Sequence, residues 1–373
     1  EAMTIDGGSG NDTIAFYQAG TNQPETIFRS STIAGGQGKD SINMEVASGS
    51  FVNSQVVGGG GNDTIFLDFA SGSAFTAAGG GGADVISYIV DSASNSFIGG
   101  DVEGLALSDW DGNDSISGSI KGGSGVTVFG GGGNDEIVFD IDAMKDLDIA
   151  GNQGNDTIRV SGTLGYLSAE IMAGGGDDLV NVSGAQMSGA SVFGGGGNDT
   201  IQFGTGWEQT GDVTIFGGAG ADTILGTASA GEAGVVFGYS SFSDSTLSAM
   251  DTIANGLGTG TQVSFNYIPG GLTRAANFEE SGSTYMYSGT DGVVAFSGTT
   301  YNELTARVNA LDSTLTTTGT TVIFRDADSV AYVFAQGGSD DLLVKLEGTA
   351  SAGQIALTVS TVGSNSILTA NMA

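Results

Sequence analysis

Apolar positions recur at a fixed spacing along the first two thirds of the chain. A glycine-rich segment of the form Gly-Gly-x-Gly-x-Asp is followed by an aliphatic residue, and a second aliphatic residue precedes most of these segments. Around them, β-branched and aromatic residues alternate with small polar ones, which predicts a short strand on each side of a glycine-rich turn. The column after the turns comprises Ile14, Ile42, Ile65, Ile86, Ile116, Ile137, Ile158, Leu179, Ile201 and Ile224. The column before them comprises Ile5, Ile33, Val56, Val128, Ile149, Ile171, Val192 and Ile215.

The aspartate that ends each glycine-rich segment marks the period. Most intervals between successive aspartates are 21 to 23 residues, and the two longest end at Asp40 and Asp114. Such a period is typical of a solenoid, whose coils stack because no single coil can bury its own apolar face. The aspartates are Asp12, Asp40, Asp63, Asp84, Asp114, Asp135, Asp156, Asp178, Asp199 and Asp222. We therefore predict an all-β protein with a right-handed parallel β-solenoid over residues 1–228 and insertions within residues 17–32 and 88–108.

The pattern changes after Leu225. The glycine-rich turns stop, aromatic residues and threonine become frequent, and strand-like runs follow, such as Val235–Phe237 and Val293–Phe296. A short amphipathic helix is expected over Tyr301–Leu311. We predict a second and smaller domain over residues 229–373, which forms a β-rich cap on the solenoid.

Composition then excludes several functions. The chain has 67 glycines and only 2 prolines among 373 residues, and 39% of its residues are hydrophobic, which favours a folded protein over a flexible linker. Nine basic residues against 42 acidic ones give a net charge of −33, which disfavours nucleic acid and membrane insertion. The absence of His and Cys removes thiol nucleophiles, zinc sites built on them and triads with a His base. We predict that the chain is not an enzyme.

No run of about 18 apolar residues is present, and the sequence starts at Glu1 without an N-terminal signal peptide. We therefore expect a fragment, a processed product or a protein exported by another route.

The glycine-rich turns carry the chemistry of a cation site. Glycine permits the positive φ angles of a tight turn and leaves backbone carbonyls exposed. One carboxylate per coil, repeated about every 4.8 Å, would repel its neighbours unless a cation lay between them. Calcium suits such a site, because it takes six to eight oxygen ligands. The alternative is that Gly-Asn-Asp-Thr is ordinary turn sequence, which ten copies in register disfavour.

We predict several bound Ca²⁺ ions, with the ten aspartates as ligands. The carbonyls of the turns complete the predicted ligand set: Gly58, Gly60, Gly130, Gly132, Gly194 and Gly196. The turn before Asp114 lacks the paired glycines, so Asp109 and Asp111 are additional candidate ligands there.

Segments such as Gly58–Ile65 resemble the GGxGxDxUx nonapeptide of RTX proteins, in which U is aliphatic. The resemblance implies a calcium-binding β-roll. Residues 330–348 and the tail Ile367–Ala373 resemble the C-terminal region through which such proteins leave the cell by type I secretion. The Gly-, Thr- and Ala-rich acidic composition is most similar to that of the surface-layer (S-layer) proteins of Gram-negative bacteria.

This likeness implies a secreted, calcium-dependent structural protein that assembles with copies of itself on the cell surface, with surface polysaccharide bound through calcium as a further partner. Two alternatives stay open. One is an adhesin or extracellular matrix protein, and the other is the RTX module of a secreted enzyme whose catalytic domain lies upstream of Glu1.

Overall fold

The computed structural model is nearly all β, with 64% strand, and forms a β-solenoid of about eight turns. This confirms the predicted fold class. It describes residues 2–18, 25–100, 112–162, 166–184, 186–204, 208–209, 213–226, 235–254, 262–267, 273–275, 278–282, 285–290, 292–296, 301–347, 355–362 and 365–372.

The contacts divide the chain into two units. The first contains residues 1–193 and 204–210, and the second contains residues 194–203 and 211–373. The predicted domain boundary at residue 228 falls outside the described residues and remains a prediction.

Each coil places one strand before a glycine-rich turn and one after it. Strands before the turns are Thr4–Asp6, Thr32–Gln37, Gln55–Gly60, Thr76–Gly81, Gly123–Gly132, Met144–Gln153, Ala169–Gly175, Ala190–Gly196 and Val213–Ala219. Strands after the turns are Thr13–Tyr17, Ser41–Val52, Thr64–Ser73, Val85–Gly99, Ser115–Ile120, Glu136–Ile141, Thr157–Gly162, Leu179–Ser183, Thr200–Phe203 and Thr223–Leu225. Further short strands are Ile27–Arg29, Tyr166–Leu167, Gln186–Met187 and Glu208–Gln209.

The two aliphatic columns form the core of the solenoid. Strands pair in parallel with column residues side by side, as Ile42 stands beside Ile65. Column residues are almost fully buried from the second coil onward. One predicted member was wrong, because Val180 and not Leu179 pairs with Ile158. Val180 is fully buried, whereas Leu179 is on the other face of the strand, since successive residues of a strand point to opposite faces.

The structure narrows the predicted insertion within residues 88–108. Residues Val85–Gly99 form one continuous strand that pairs in register with Thr64–Ser73. The additional residues of this interval therefore follow Gly100, and residues 101–111 lie outside the described part of the chain. In the other long interval, residues 19–24 also lie outside the described part of the chain.

The second unit continues from its solenoid strands into the predicted C-terminal β region. Its helix spans Leu304–Thr314, three residues later than expected at both ends, and buries Val308 and Leu311. Strands of this region are Val235–Tyr239, Asp251–Ala254, Gln262–Tyr267, Thr273–Arg274, Phe278–Gly282, Tyr285–Thr290, Val293–Phe296, Thr320–Arg325, Ala331–Ala335, Leu342–Glu347, Ile355–Val362 and Asn365–Met372.

Candidate metal site

Glycine is required where successive turns stack. In the turn that begins at Gly58, Gly59 has φ +120° and Gly61 has φ +115°, a region that residues with a side chain rarely adopt. The backbone N–H of Gly61 donates to the Gly81 carbonyl at 2.7 Å, and that of Gly38 donates to the Gly60 carbonyl at 2.7 Å. The turns are therefore joined by their own hydrogen bonds, and the Gly60 carbonyl already accepts one of them.

We expect Gly59→Ala to destabilise the calcium-loaded protein by about 2 kcal/mol or more. The left-handed conformation alone costs a residue with a side chain roughly 1–2 kcal/mol. The new Cβ would also lie 2.8 Å from the carbonyl carbon of Gly36 and overlap its oxygen. Gly175→Ala is the control, since its Cβ would meet only the Asn152 carbonyl oxygen at 3.9 Å. Thermal unfolding measures both, and equal shifts in Tm would contradict the requirement for glycine.

The predicted aspartates form a hydrogen-bonded ladder inside the turns. In each step, Oδ1 of one aspartate accepts a hydrogen bond from the backbone N–H of the preceding aspartate. In the first unit the ladder runs through Asp12, Asp40, Asp63, Asp84, Asp114, Asp135, Asp156 and Asp178, with distances of 2.6 to 2.8 Å. In the second unit Asp199 donates to Asp222 at 2.8 Å. The structure thus aligns the predicted aspartates within each unit.

The second carboxylate oxygens are buried atoms without a hydrogen-bond partner. This holds for Oδ2 of Asp12, Asp40, Asp63, Asp156 and Asp222. A buried carboxylate oxygen left unsatisfied is costly, and a cation is one way to satisfy it.

A carbonyl of the following coil approaches this oxygen in Asp12, Asp40, Asp63 and Asp156. A Cβ placed on Gly35 would lie 2.5 Å from Asp40 Oδ2 and 2.5 Å from the Gly58 carbonyl oxygen, so these two oxygens lie within 5 Å of each other. A Cβ on Gly130 would likewise contact Asp135 Oδ2 and a carbonyl oxygen of the following coil, and a Cβ on Gly194 would do the same with Asp199 Oδ2. At these turns the arrangement brings a carboxylate and a carbonyl together, and the missing side chain of glycine makes room for both.

For the other predicted ligands, the structure gives at most a position within a strand. Gly132 and Gly196 lie in the strands Gly123–Gly132 and Ala190–Gly196, and a Cβ on Gly196 would meet nothing within 4 Å. Asp109 and Asp111 lie outside the described residues. Among the residues that the structure describes, no three acidic side chains converge on one point. An ion here would therefore combine carboxylates of successive coils with backbone carbonyls.

Burial makes these carboxylates resist ionisation. Desolvation raises the pKa of Asp63, Asp178 and Asp222 to about 6, against the opposing effect of the N–H that each accepts. Desolvation raises the pKa of Asp156 as well. Without a cation, the charged form of these buried carboxylates therefore destabilises the folded state at neutral pH.

Sequence reasoning missed a second ladder on the outside of the turns. Asn134 Oδ1 accepts a hydrogen bond from the backbone N–H of Asn155 at 2.7 Å, and Asn155 Oδ1 accepts from Asp177 at 2.9 Å. These bonds run from the later coil to the earlier one, opposite to those of the aspartates. The available signal was the Asn that precedes Asp in most segments. Its side chain joins the outer edges of successive turns by hydrogen bonds.

An additional column member was also missed. Asp251 Oδ1 accepts a hydrogen bond from the Asp222 N–H at 3.0 Å, although no glycine-rich segment precedes it. The available signal was the sequence Asp-Thr-Ile at residues 251–253, which repeats residues 63–65.

A family model of the RTX calcium-binding nonapeptide repeat matches residues 4–15, 48–69, 191–206 and 209–230. The chain carries RTX calcium-binding repeats. A comparison with curated proteins finds no match. RTX repeats bind calcium, and they are typical of secreted proteins. The buried, unpartnered oxygens of the RTX turns fit such an ion, because calcium prefers carboxylate and carbonyl ligands. Within the described residues, no helix is long and apolar enough to span a bilayer.

We expect opposite pH responses with and without calcium. In the calcium-free protein the folded-state pKa values of about 6 exceed the ordinary aspartate value of 3.8, so the folded state binds more protons between these values. Its stability is then highest at low pH and is lost as the pH rises through about 6. With calcium, protons compete with the ion, so acidification weakens binding. Circular dichroism of dialysed, calcium-depleted protein should show more β signal at pH 5 than at pH 7.5, and the reverse order would contradict the pKa shifts.

Proposed function

We propose that this chain is a secreted, non-enzymatic structural protein that assembles with copies of itself into a calcium-dependent layer on a bacterial cell surface. One observation carries the calcium dependence: a stack of buried aspartates whose second oxygens lack hydrogen-bond partners. The ions would neutralise part of the −33 charge and stiffen the solenoid. Surface polysaccharide bound through calcium is a proposed further partner.

The absence of His and Cys supports a structural role over catalysis. An adhesin or matrix protein shares this composition, as does the RTX module of a secreted enzyme with its catalytic domain elsewhere. Neither alternative requires the chain to form ordered arrays. The formation of ordered arrays therefore distinguishes the layer protein from the adhesin or matrix protein and from the enzyme module.

Electron microscopy of the purified chain tests the proposal. We expect ordered sheets in calcium that disperse when a chelator is added, and no sheets when magnesium replaces calcium, because magnesium demands a stricter octahedral geometry. Dispersed monomers in calcium would overturn self-assembly and favour an adhesin or an enzyme module.

We also propose that the C-terminal region directs export. Deleting residues from Val330 onward is not a clean test, because the strand Ala331–Ala335 is buried throughout and pairs on both sides. Fusion of residues 240–373 to an unrelated carrier avoids this difficulty. Export of the carrier by a host with a matching transporter would support the proposal, and retention would overturn it.

A further inference from the structure

The aspartate column of the second unit ends at a residue outside the RTX repeats. The strand Asp251–Ala254 pairs in parallel with Thr223–Leu225, which places Asp251 one step beyond Asp222. Asp251 is 0% exposed. The five residues before it read Thr-Leu-Ser-Ala-Met, so the usual glycines are missing. Asp251 therefore holds the place of a column member without the turn that normally supplies carbonyl ligands.

Tyr239 occupies the position of the first glycine of this missing turn. Its strand pairs with Val213–Ala219 so that Phe237 stands beside Ile215, and the same register continued by two residues would place Tyr239 level with Gly217. Gly217 is the glycine whose missing side chain makes room for the Asp222 carboxylate. The Tyr239 side chain is 2% exposed. The last coil thus places a phenol where the RTX turns have no side chain.

Three buried side-chain oxygens lie at this end of the column. They are the Tyr239 hydroxyl, Asp251 Oδ2 and Asp222 Oδ2. The Tyr239 hydroxyl is hydrogen-bonded to the Asp251 carboxylate, whereas Asp222 Oδ2 has no hydrogen-bond partner. The negative charges near the hydroxyl are those of Asp251, Asp222 and Asp244. A single phenol proton cannot satisfy two buried carboxylates, so a cation that bound both of them would offset the hydration that they have lost.

Asp244 has a separate role in this region. Its Oδ2 accepts hydrogen bonds from the backbone N–H groups of Ser240 at 2.7 Å and Ser241 at 2.8 Å. These bonds cap the 3₁₀ helix Phe242–Asp244 and shape the loop that replaces the glycine-rich turn. The Asp244 carboxylate therefore serves as a helix cap. The carboxylates of Asp222 and Asp251 and the phenol of Tyr239 remain as candidates to bind a ligand.

We propose that Asp222, Asp251 and Tyr239 form a further calcium site that closes the column beyond the last RTX repeat. The inference rests on calcium binding by the repeats and does not depend on assembly into a layer. A hard divalent cation suits two carboxylates and a neutral oxygen, and calcium tolerates the irregular geometry of a coil without a regular turn.

An ion at this position would also stabilise the C-terminal sheet. The Asp251 N–H donates to Ser245 Oγ at 2.9 Å, and this hydroxyl donates to the Leu343 carbonyl. The Leu343 N–H returns a bond to the Ser245 carbonyl at 2.8 Å. Asp251 itself pairs with Val344. The proposed ligand is thus bonded directly to the strand Leu342–Glu347.

Native mass spectrometry of the whole chain in calcium tests the site by counting ions. We expect Asp251→Asn to bind one calcium fewer than the wild type, and the exposed Asp328→Asn to bind the same number as the wild type. Unchanged number and affinity in folded Asp251→Asn would overturn the site. A wild-type chain that binds no calcium would instead refute calcium binding by the repeats, so the two failures are distinguishable.

Tyr239→Phe provides a second test that holds even where Asp251→Asn does not fold. Removing the hydroxyl should weaken one calcium site about tenfold, the lower end of the range for groups that support a metal ligand. Terbium in place of calcium should also lose part of its tyrosine-sensitised emission. An unchanged calcium isotherm together with unchanged terbium emission would overturn the role of Tyr239 and, with it, the proposed site.

Discussion

Removal of calcium should abolish most of the β signal of this protein in far-ultraviolet circular dichroism at neutral pH. Without the ion, stacked carboxylates with raised pKa values repel one another inside the turns. The many glycines add a large conformational entropy cost, and burial of the two aliphatic columns must then offset both effects alone. Titrating calcium back should restore the signal with a midpoint on the order of 10⁻⁴ to 10⁻³ M, the range of extracellular calcium modules.

Magnesium at the same ionic strength is the control for general charge screening. Recovery in calcium but not in magnesium would identify specific binding. Full β structure that persists in excess chelator at pH 7.5 would contradict the calcium requirement. Recovery in both ions would mean that the column needs only screening of its charge.

Substitution inside the column should cost far more than substitution at its first member. Asp156→Ala removes the acceptor of the buried Asp135 N–H and a proposed ligand of the ions on both sides. We expect a loss of about 3 kcal/mol in calcium, since an orphaned buried donor alone costs roughly 1–3 kcal/mol. Asp12 lies in the first coil, is partly exposed and accepts no such bond from the described residues, so Asp12→Ala should cost below about 1 kcal/mol. Thermal unfolding in calcium measures the difference.

Asp156→Asn separates the charge from the hydrogen bond. The amide keeps an oxygen that can accept the Asp135 N–H but removes the charge that calcium would neutralise. We expect Asp156→Asn to be less stable than the wild type in calcium and at least as stable without it, because a buried charge is lost. Equal effects of Asp156→Ala and Asp12→Ala would show that the aspartates only shape the turns.

The sequence predicted the solenoid because the turns and the apolar columns are each specified by residues close together in the chain. A turn that needs positive φ at alternate positions must contain glycine there, and Gly59 and Gly61 meet that need within one segment. The apolar columns follow from the period of the repeat, so the spacing alone is enough to place Ile42 beside Ile65. The predicted ten aspartates align within their units for the same reason.

Errors arose where one residue of register matters. Leu179 and Val180 are both aliphatic, and composition cannot decide between them. Only the pairing of Val180 with Ile158 assigns it to the core, because a shift by one residue turns every side chain to the opposite face. Strand pairing also narrowed the long insertion, since the continuous strand Val85–Gly99 excludes residues 88–99 from it.

By itself, the sequence determined the solenoid period, the aliphatic columns, the aspartates of the turns and calcium as the expected ion, since each follows from a short segment that recurs, at most intervals, every 21 to 23 residues. Tertiary structure alone decided which oxygens remain without partners, and it placed Asp251 in the column. That placement depends on pairing with Leu225 and its neighbours on one side and with residues 344–347, more than 90 positions later, on the other. Contacts at such separations are specified by the packing of whole strands, and the three-residue sequence Asp-Thr-Ile at residues 251–253 is too short to predict them.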